Sequence, residues 1–289
     1  MLTAGEVRTV EPPRMQLKSR DLEEAISFFQ PSQNGAATGA PRKPQAGPDA
    51  NPELVERVGQ MTWYHTLELP GGVVTPGEFD HRQLVPNYGI PADLTGKRAL
   101  DVGTFDGFWA FEFERRGAAV TAVDVPRASM FDFPGPARQL LEQRGVDLGL
   151  GSGFRLAREA YGSRVERLEQ AVYDIDPGRM GTFDLVHMGD LLLHLERPIE
   201  ALRRLRSVTK GFALIADVYQ PDLETDDGRQ LVEYRGGWEI VTWYLPSLSA
   251  LGQMVLDAGF ADVRVQYAYQ LARTVPGHGY HHAVLAATP

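Results

Sequence analysis

A chain of 289 residues, 43% hydrophobic and 23% charged, is long enough for one large domain with a substantial core, or for such a domain carrying an extension. Its formal net charge of -9 argues against a broad basic face for nucleic acid, and the absence of cysteine excludes disulfides, zinc–thiolate sites, iron–sulfur clusters and cysteine nucleophiles. It contains neither an apolar run long enough to cross a bilayer nor a signal-peptide core, so a cytoplasmic protein with no membrane partner is expected.

In chain order, residues 1–90 read as an appendage and lid. Asp21 to Phe29 is a short amphipathic pattern, and 31–52 is a Pro-, Gly- and Ala-rich loop without periodicity. A second short helix is expected at 52–60. The segment Trp63 to Gly77 alternates around Pro70-Gly71-Gly72, which predicts an extended strand or hairpin ahead of the main domain.

The main domain is expected over 91–289. From residue 97, short β-branched runs alternate with helical stretches, the pattern of a mostly parallel sheet. Strands are predicted near 98–102, 119–124, 171–173, 183–188 and 212–217, with helices near 107–116, 136–144, 153–161 and 198–208. The alternation then stops, and an insertion over 218–246 is dense in aromatic residues: Tyr219, Tyr234, Trp238, Trp243 and Tyr244. A helix follows Ser247 and ends at Gly259. Two final strands, 262–269 and 281–287, flank a Gly-rich turn.

The most informative stretch runs from Ala99 through Leu100-Asp101-Val102-Gly103-Thr104-Phe105-Asp106-Gly107 to Trp109. It reads as strand, Asp-x-Gly-x-x-x-Gly, then helix. Gly103 lets the chain turn tightly off the strand, and Gly107 leaves room at the helix N-terminus. The spacing differs from the Gly-x-Gly-x-x-Gly of a dinucleotide pyrophosphate site, which disfavours a nicotinamide cofactor. S-adenosylmethionine has no phosphate to cradle; its α-amino group wants a carboxylate, which Asp101 or a neighbour can supply. Asp124 closes the next strand, where an acid accepts ribose hydroxyls. Asp174 closes the expected third strand, where it would face the adenine beside Ile175.

These residues, with Phe183 to Pro198 and Trp243-Tyr244-Leu245-Pro246-Ser247, resemble the class I S-adenosylmethionine-dependent methyltransferases from about residue 60 to 287. Within them the chain is similar to the branch related to the tRNA wobble-uridine (carboxy)methyltransferases. It departs from those enzymes ahead of the domain, where Trp63-Tyr64-His65 and Pro70-Gly71-Gly72 replace a basic region. The resemblance implies an α/β, doubly wound, Rossmann-like seven-stranded sheet. It implies a bacterial enzyme moving a methyl group to a small-molecule acceptor, with S-adenosylhomocysteine as product. Around Asp101, Gly103, Gly107, Asp124 and Asp174, the expected cofactor set includes Trp63, Tyr64, Thr104, Val125, Ile175, Met188 and Gly189.

Methyl transfer needs alignment, exclusion of water and, for a hydroxyl, removal of a proton. By the resemblance, His194 paired with Asp217 is the expected general base, with Asp190 beside them. A backbone-bonding role for His194 and a divalent cation on Asp190, His194 and Asp217 are the alternatives. His65, His81 and Arg82 could reach over the cofactor towards substrate, and Arg82 suits a carboxylate or phosphate. Of His281 and His282, strand alternation turns one outward. Tyr234, Trp238 and Trp243 are expected to wall the acceptor pocket, or else a homo-oligomer interface. Competing readings are an RNA methyltransferase, against which the acidic balance weighs, and a catalytically silent cofactor-binding or oligomerising protein.

Overall fold

The structure is a computed structural model that describes residues 43–145, 147–236, 241–272 and 279–289. The expected helix at Asp21 to Phe29, most of the loop before residue 52, Trp238 and most of the Gly-rich turn lie outside the described residues.

Helix α1 (Pro52–Gly59) opens on Asn51, whose side chain caps the Glu53 amide. The short strands β1 (Glu68–Leu69) and β2 (Val73–Val74) then pair antiparallel around Pro70–Gly72. The α/β part follows as β3 (Arg98–Val102), α2 (Phe108–Arg115), β4 (Ala119–Asp124), α3 (Gly135–Gln143), α4 (Ser152–Tyr161) and β5 (Glu166–Glu169). It continues with α5 (Pro177–Met180), β6 (Phe183–Gly189), α6 (Pro198–Val208) and β7 (Thr209–Val218). The ribbon β8 (Val232–Tyr234) and β9 (Tyr244–Pro246), helix α7 (Leu248–Asp257), β10 (Asp262–Ala272) and β11 (Gly279–Thr288) complete it.

The main sheet has seven strands in the order β10-β11-β7-β6-β3-β4-β5. Five are mutually parallel, and β11 runs antiparallel between β7 and β10. Both faces are covered, so the central strands are mostly apolar, with the buried pair Asp101 and His187 the exception in β3 and β6. Ala99, Leu185, Leu214 and Val284 enter one core with Trp109, Phe113 and Phe154; their neighbours Leu100, Val186, Ile215 and Leu285 enter the other with Leu202, Leu205 and Leu251. Val58, Trp63, Leu67, Leu69 and Val73 join the first core, so the segment before β3 lies on the sheet as a strap.

Two expectations require correction. The third strand is Glu166–Glu169, whereas Val172–Asp174 forms a single helical turn. Glu166-Arg167-Leu168-Glu169 sits at the sheet edge, where charged residues are tolerated, and its polarity hid it. Of the residues that resembled a strand, Val172 instead plugs the second core and Tyr173 packs against it. The aromatic insertion also contains the β8–β9 ribbon, with Tyr234 opposite Tyr244, which periodicity had not indicated.

The strap crosses itself closely. Thr66 N–H donates to the Phe79 carbonyl at 2.9 Å, and Phe79 N–H to the Tyr64 carbonyl at 2.8 Å. A Cβ at Gly77 would lie 2.2 Å from backbone atoms of His65 and Thr66. Gly77→Ala is therefore expected to destabilise the chain by about 2 kcal/mol. Urea denaturation checks this, and an unchanged midpoint would contradict it.

Candidate functional site

At the C-terminal end of β3 the chain turns through Gly103 (φ 74°), Phe105 (φ 46°) and Gly107 (φ 89°) before α2 begins. The side chain missing at Gly107 is replaced by packed rings, since a Cβ there would meet Phe111 at 2.5 Å and Phe154 at 2.7 Å. The missing one at Gly103 admits Leu191, 3.1 Å from a built Cβ. The loop after β6 thus lies against the glycine loop.

Asp101 is almost wholly buried and engaged internally. It accepts from Thr104 Oγ1 at 2.7 Å, and its other oxygen lies 2.7 Å from His187 Nδ1, whose Nε2 is 3.0 Å from the Tyr88 hydroxyl. Its carboxylate therefore fastens the loop to β6 and the strap; it is not turned outward to meet an ammonium group.

Asp124, at the end of β4, accepts the Phe105 amide at 2.8 Å on one oxygen and the Val125 amide at 2.8 Å on the other. Burial raises its pKa to about 6 despite those amides.

The strap is latched to the same loop. Trp63 is buried, its indole N–H donating to the Val58 carbonyl at 3.0 Å. Asp106 Oδ2 accepts the amides of Tyr64 at 2.7 Å and His65 at 3.0 Å. Burial pushes the Asp106 carboxyl up to about 7, against the pull of the two amides. The Tyr64 ring lies 5.4 Å from that of Phe105, closing the strap over the loop.

Beside this loop, the C-terminal edge of the sheet carries a buried polar centre around Asp190. Asp190 has φ 50°, left-handed backbone that is costly for a residue with a side chain. His282 Nε2 from β11 lies 3.1 Å from its Oδ1. On Oδ2, the Tyr64 hydroxyl is at 3.5 Å and His81 Nε2 at 3.8 Å. Burial alone would raise the Asp190 pKa, but the charge of His282 and contacts with His282 and His81 hold it far below the usual carboxylate range. Burial opposes protonation of His282, yet Asp190 beside it raises its pKa overall. His65 is pushed well down by burial and by His81, which keeps it neutral.

The expected His194–Asp217 base does not form. His194 Nδ1 donates to the Val241 carbonyl at 2.5 Å, the backbone-bonding role. Asp217 accepts the amides of Leu191 (3.1 Å), Leu192 (2.7 Å) and Val218 (2.9 Å), so it shapes the loop that presents Asp190. Burial and the neighbouring Asp190 raise Asp217 to about 7. Among the described residues no group of three His, Asp or Glu side chains is arranged to hold a metal ion.

Other expected residues divide between the site and elsewhere. His65 and His81 belong to the buried centre, whereas Arg82 is exposed and clasps Asp80 at 2.9 and 2.7 Å, away from it. Asp174 is exposed on its helical turn, while Ile175 and Met188 are core residues beneath the strand ends. Trp243 donates to the Asp132 carbonyl and is half-buried, whereas Tyr234 is 62% exposed. Asp106, Tyr88 and His187 were not anticipated, and of the pair His281 and His282 it is His282 that turns inward. The signal for His282 was its place opposite the outward-turned His281, and for Asp106 its place inside the glycine loop.

These pKa values set a pH dependence. A group whose pKa is raised by folding contributes stability below its unfolded pKa and loses it as pH climbs through the folded value. Asp106, Asp217 and His282 share that sign near neutrality, whereas neutral His65 acts oppositely only below its ordinary value of 6.5. The ligand-free chain is expected to be less stable at pH 8 than at pH 6.5. Urea midpoints at the two pH values test this; a higher midpoint at pH 8 would contradict it.

The model of the methyltransferase domain family matches residues 81–265. A tRNA U34 carboxymethyltransferase of Ectopseudomonas mendocina (strain ymp) is 30% identical over 175 residues, covering 60% of this chain and 47% of that protein. One from Pseudomonas putida (strain GB-1) is also 30% identical, over 60% of this chain and 48% of that protein. The chain thus spans about half the length of the curated relatives it matches. Among solved structures, the N-terminal domain of EvdMO1 in the presence of S-adenosylhomocysteine and D-fucose superposes with a TM-score of 0.54 at 18% identity. The superposition covers 82% of this chain and 95% of that one, and establishes a shared fold.

Proposed function

Because the chain belongs to the methyltransferase domain family, we propose that it is an S-adenosylmethionine-dependent methyltransferase acting on a small molecule. The observation carrying this reading is Asp124 at the end of β4. Each carboxylate oxygen holds one backbone amide of the adjoining turn and keeps acceptor capacity for the paired hydroxyls of a ribose. Gly103 supplies the side-chain-free turn beside it. The SAH-bound neighbour of the same fold supports the choice of cofactor.

When bound, the cofactor supplies an electrophilic sulfonium methyl group. The chain's own work is to hold, dry and orient. Asp124 would hold the ribose, Asp101 and Thr104 fix the loop, and the strap latched by Asp106 excludes water. Trp243 and the ribbon β8–β9 stand at the acceptor side, and a ring-containing acceptor suits them.

A second reading, methylation or carboxymethylation of tRNA, is favoured by the names of the relatives at 30% identity. The net charge of -9 weighs towards a small acceptor. Incubation with methyl-deuterated S-adenosylmethionine, in separate reactions with bulk tRNA and with a small-molecule panel, distinguishes them by mass. Label in tRNA alone would overturn the small-molecule reading.

A further inference from the structure

We propose that Arg167 of β5 positions the ribose of the cofactor: its buried guanidinium sets the turn that follows β4 and supplies the positive charge that keeps Asp124 a carboxylate. The inference rests on the methyltransferase reading, with Asp124 as the ribose acceptor, and adds to it a residue that acts through Asp124.

The register of the sheet brings the two groups together. β5 runs parallel to β4, with Arg167 opposite Ala122 and Glu169 opposite Asp124. Successive side chains of a strand point to opposite faces, so Ala122, Asp124, Arg167 and Glu169 share one face. Ala122 and Phe154 mark it as the face of the first core, while Val123 and Leu168 pack on the second. From there the Arg167 side chain extends towards the C-terminal end of β4. Its Nη2 donates to the carbonyl of Val125 at 3.3 Å, and the N–H of the same Val125 donates to Asp124 Oδ1 at 2.8 Å. One residue of the turn is thus held between the guanidinium and the carboxylate.

The guanidinium is walled in. Its side chain is 7% exposed, with Nη1 2.9 Å from Glu169 Oε1 and no hydrogen-bond partner for Nε. The Phe154 ring lies 5.8 Å from Cζ. A Cβ at Gly151 would lie 2.9 Å from both Cζ and Nη2, and the backbone there has φ 81°, so glycine alone lets the chain lie on the guanidinium as it enters α4. Leu150 N–H donates to the Pro126 carbonyl at 2.8 Å and Gln170 N–H to the Asp124 carbonyl at 3.0 Å, which fastens the surrounding segments to the same turn. A dry cation with one donor unserved is costly, and an ion pair with half-exposed Glu169 offsets part of that cost.

The charge has its use at Asp124. The charged groups facing that carboxylate are Arg167 and Glu169 from β5, Asp101 from β3 and Asp106 from the glycine loop. Burial opposes its ionisation, and Asp101 adds to that; the Phe105 amide, the charge of Arg167 and the Val125 amide work the other way, and the balance leaves the group at about 6. Each Asp124 oxygen already accepts one amide, so each has one position left for a ribose hydroxyl. A proton on either oxygen takes one of those positions. Loss of the Arg167 charge therefore weakens ribose binding by protonating Asp124.

The test is calorimetric titration of the full chain with S-adenosylhomocysteine from pH 5 to pH 8. Wild-type affinity is expected to rise with a midpoint at about 6. Arg167→Gln is expected to raise that midpoint by about one pH unit, which lowers affinity about fivefold at pH 6 and leaves it within about twofold of wild type at pH 8. Arg167→Met, which keeps more of the packing on Phe154, should behave alike, and Arg167→Lys, which keeps the charge, should restore the wild-type profile. A packing defect would instead lower affinity by the same factor at every pH. Carbon-13 spectra of the aspartate carboxyl groups, with Asp124→Asn to assign the signal, read the same midpoint in the ligand-free chain. A midpoint that stays within about 0.3 pH unit of wild type in either uncharged variant would overturn the inference. So would a uniform loss of affinity across the range, or a pH slope that persists in Asp124→Asn. Failure of the wild type to bind S-adenosylhomocysteine at any pH would overturn the function on which the inference rests.

Discussion

Replacing Asp124 with alanine is expected to weaken S-adenosylhomocysteine binding about 100-fold, near 2.7 kcal/mol. Two effects combine. The variant loses charge-assisted hydrogen bonds to a pair of ribose hydroxyls, each stronger than a neutral one. It also orphans the Phe105 and Val125 amides that Asp124 now satisfies at 2.8 Å each, loosening the turn on which the ligand lies. Because the carboxyl is raised to about 6, wild-type affinity should rise from pH 5 to pH 7 as it ionises, and that slope should vanish in the variant. Calorimetric titration at both pH values reads both effects. Affinity within threefold of wild type would reject the assignment of Asp124.

The second large effect is expected at Asp106. Asp106→Ala removes the one carboxylate oxygen that receives the Tyr64 and His65 amides, leaving two backbone donors without it at a closely packed crossing. Each orphaned amide costs about 1–3 kcal/mol, so a loss of about 3 kcal/mol is expected, and it should be local to the strap. Amide exchange at residues 63–66 should accelerate in the variant while exchange in β3 and β6 remains slow. Asp106→Asn retains an acceptor oxygen and should recover most of the protection. If Asp106→Ala leaves exchange in the strap unchanged, the latch does not hold it.

The outcome shows which parts of the molecule were legible in the sequence. The parallel strands were readable because strands buried on both faces are mostly apolar, as in Ala99 to Val102 and Leu185 to Met188, where Asp101 and His187 interrupt the runs only by pairing with each other. The edge strand at Glu166–Glu169 was not, because an edge imposes no such requirement. The glycine loop and Asp124 were legible as a strand–turn–helix pattern with fixed spacing. Asp101 was found for its spacing, but its partner His187 lies 86 positions away and Tyr88, which bonds that histidine, 99 positions from it, and no local pattern reports such contacts. The acceptor side failed for the same reason. His194 and Asp217 lie at the ends of neighbouring strands, yet backbone groups claim both side chains. Asp190 meets His282 and His81 only because β11 folds back beside β7 and the strap returns over the loop.

The central claim is that the loop between Asp101 and Asp124 holds adenosylmethionine, and calorimetry of the wild-type chain tests it most directly. One equivalent of S-adenosylhomocysteine is expected to bind, with no heat from NADH. Binding of NADH, with none of S-adenosylhomocysteine, would contradict it.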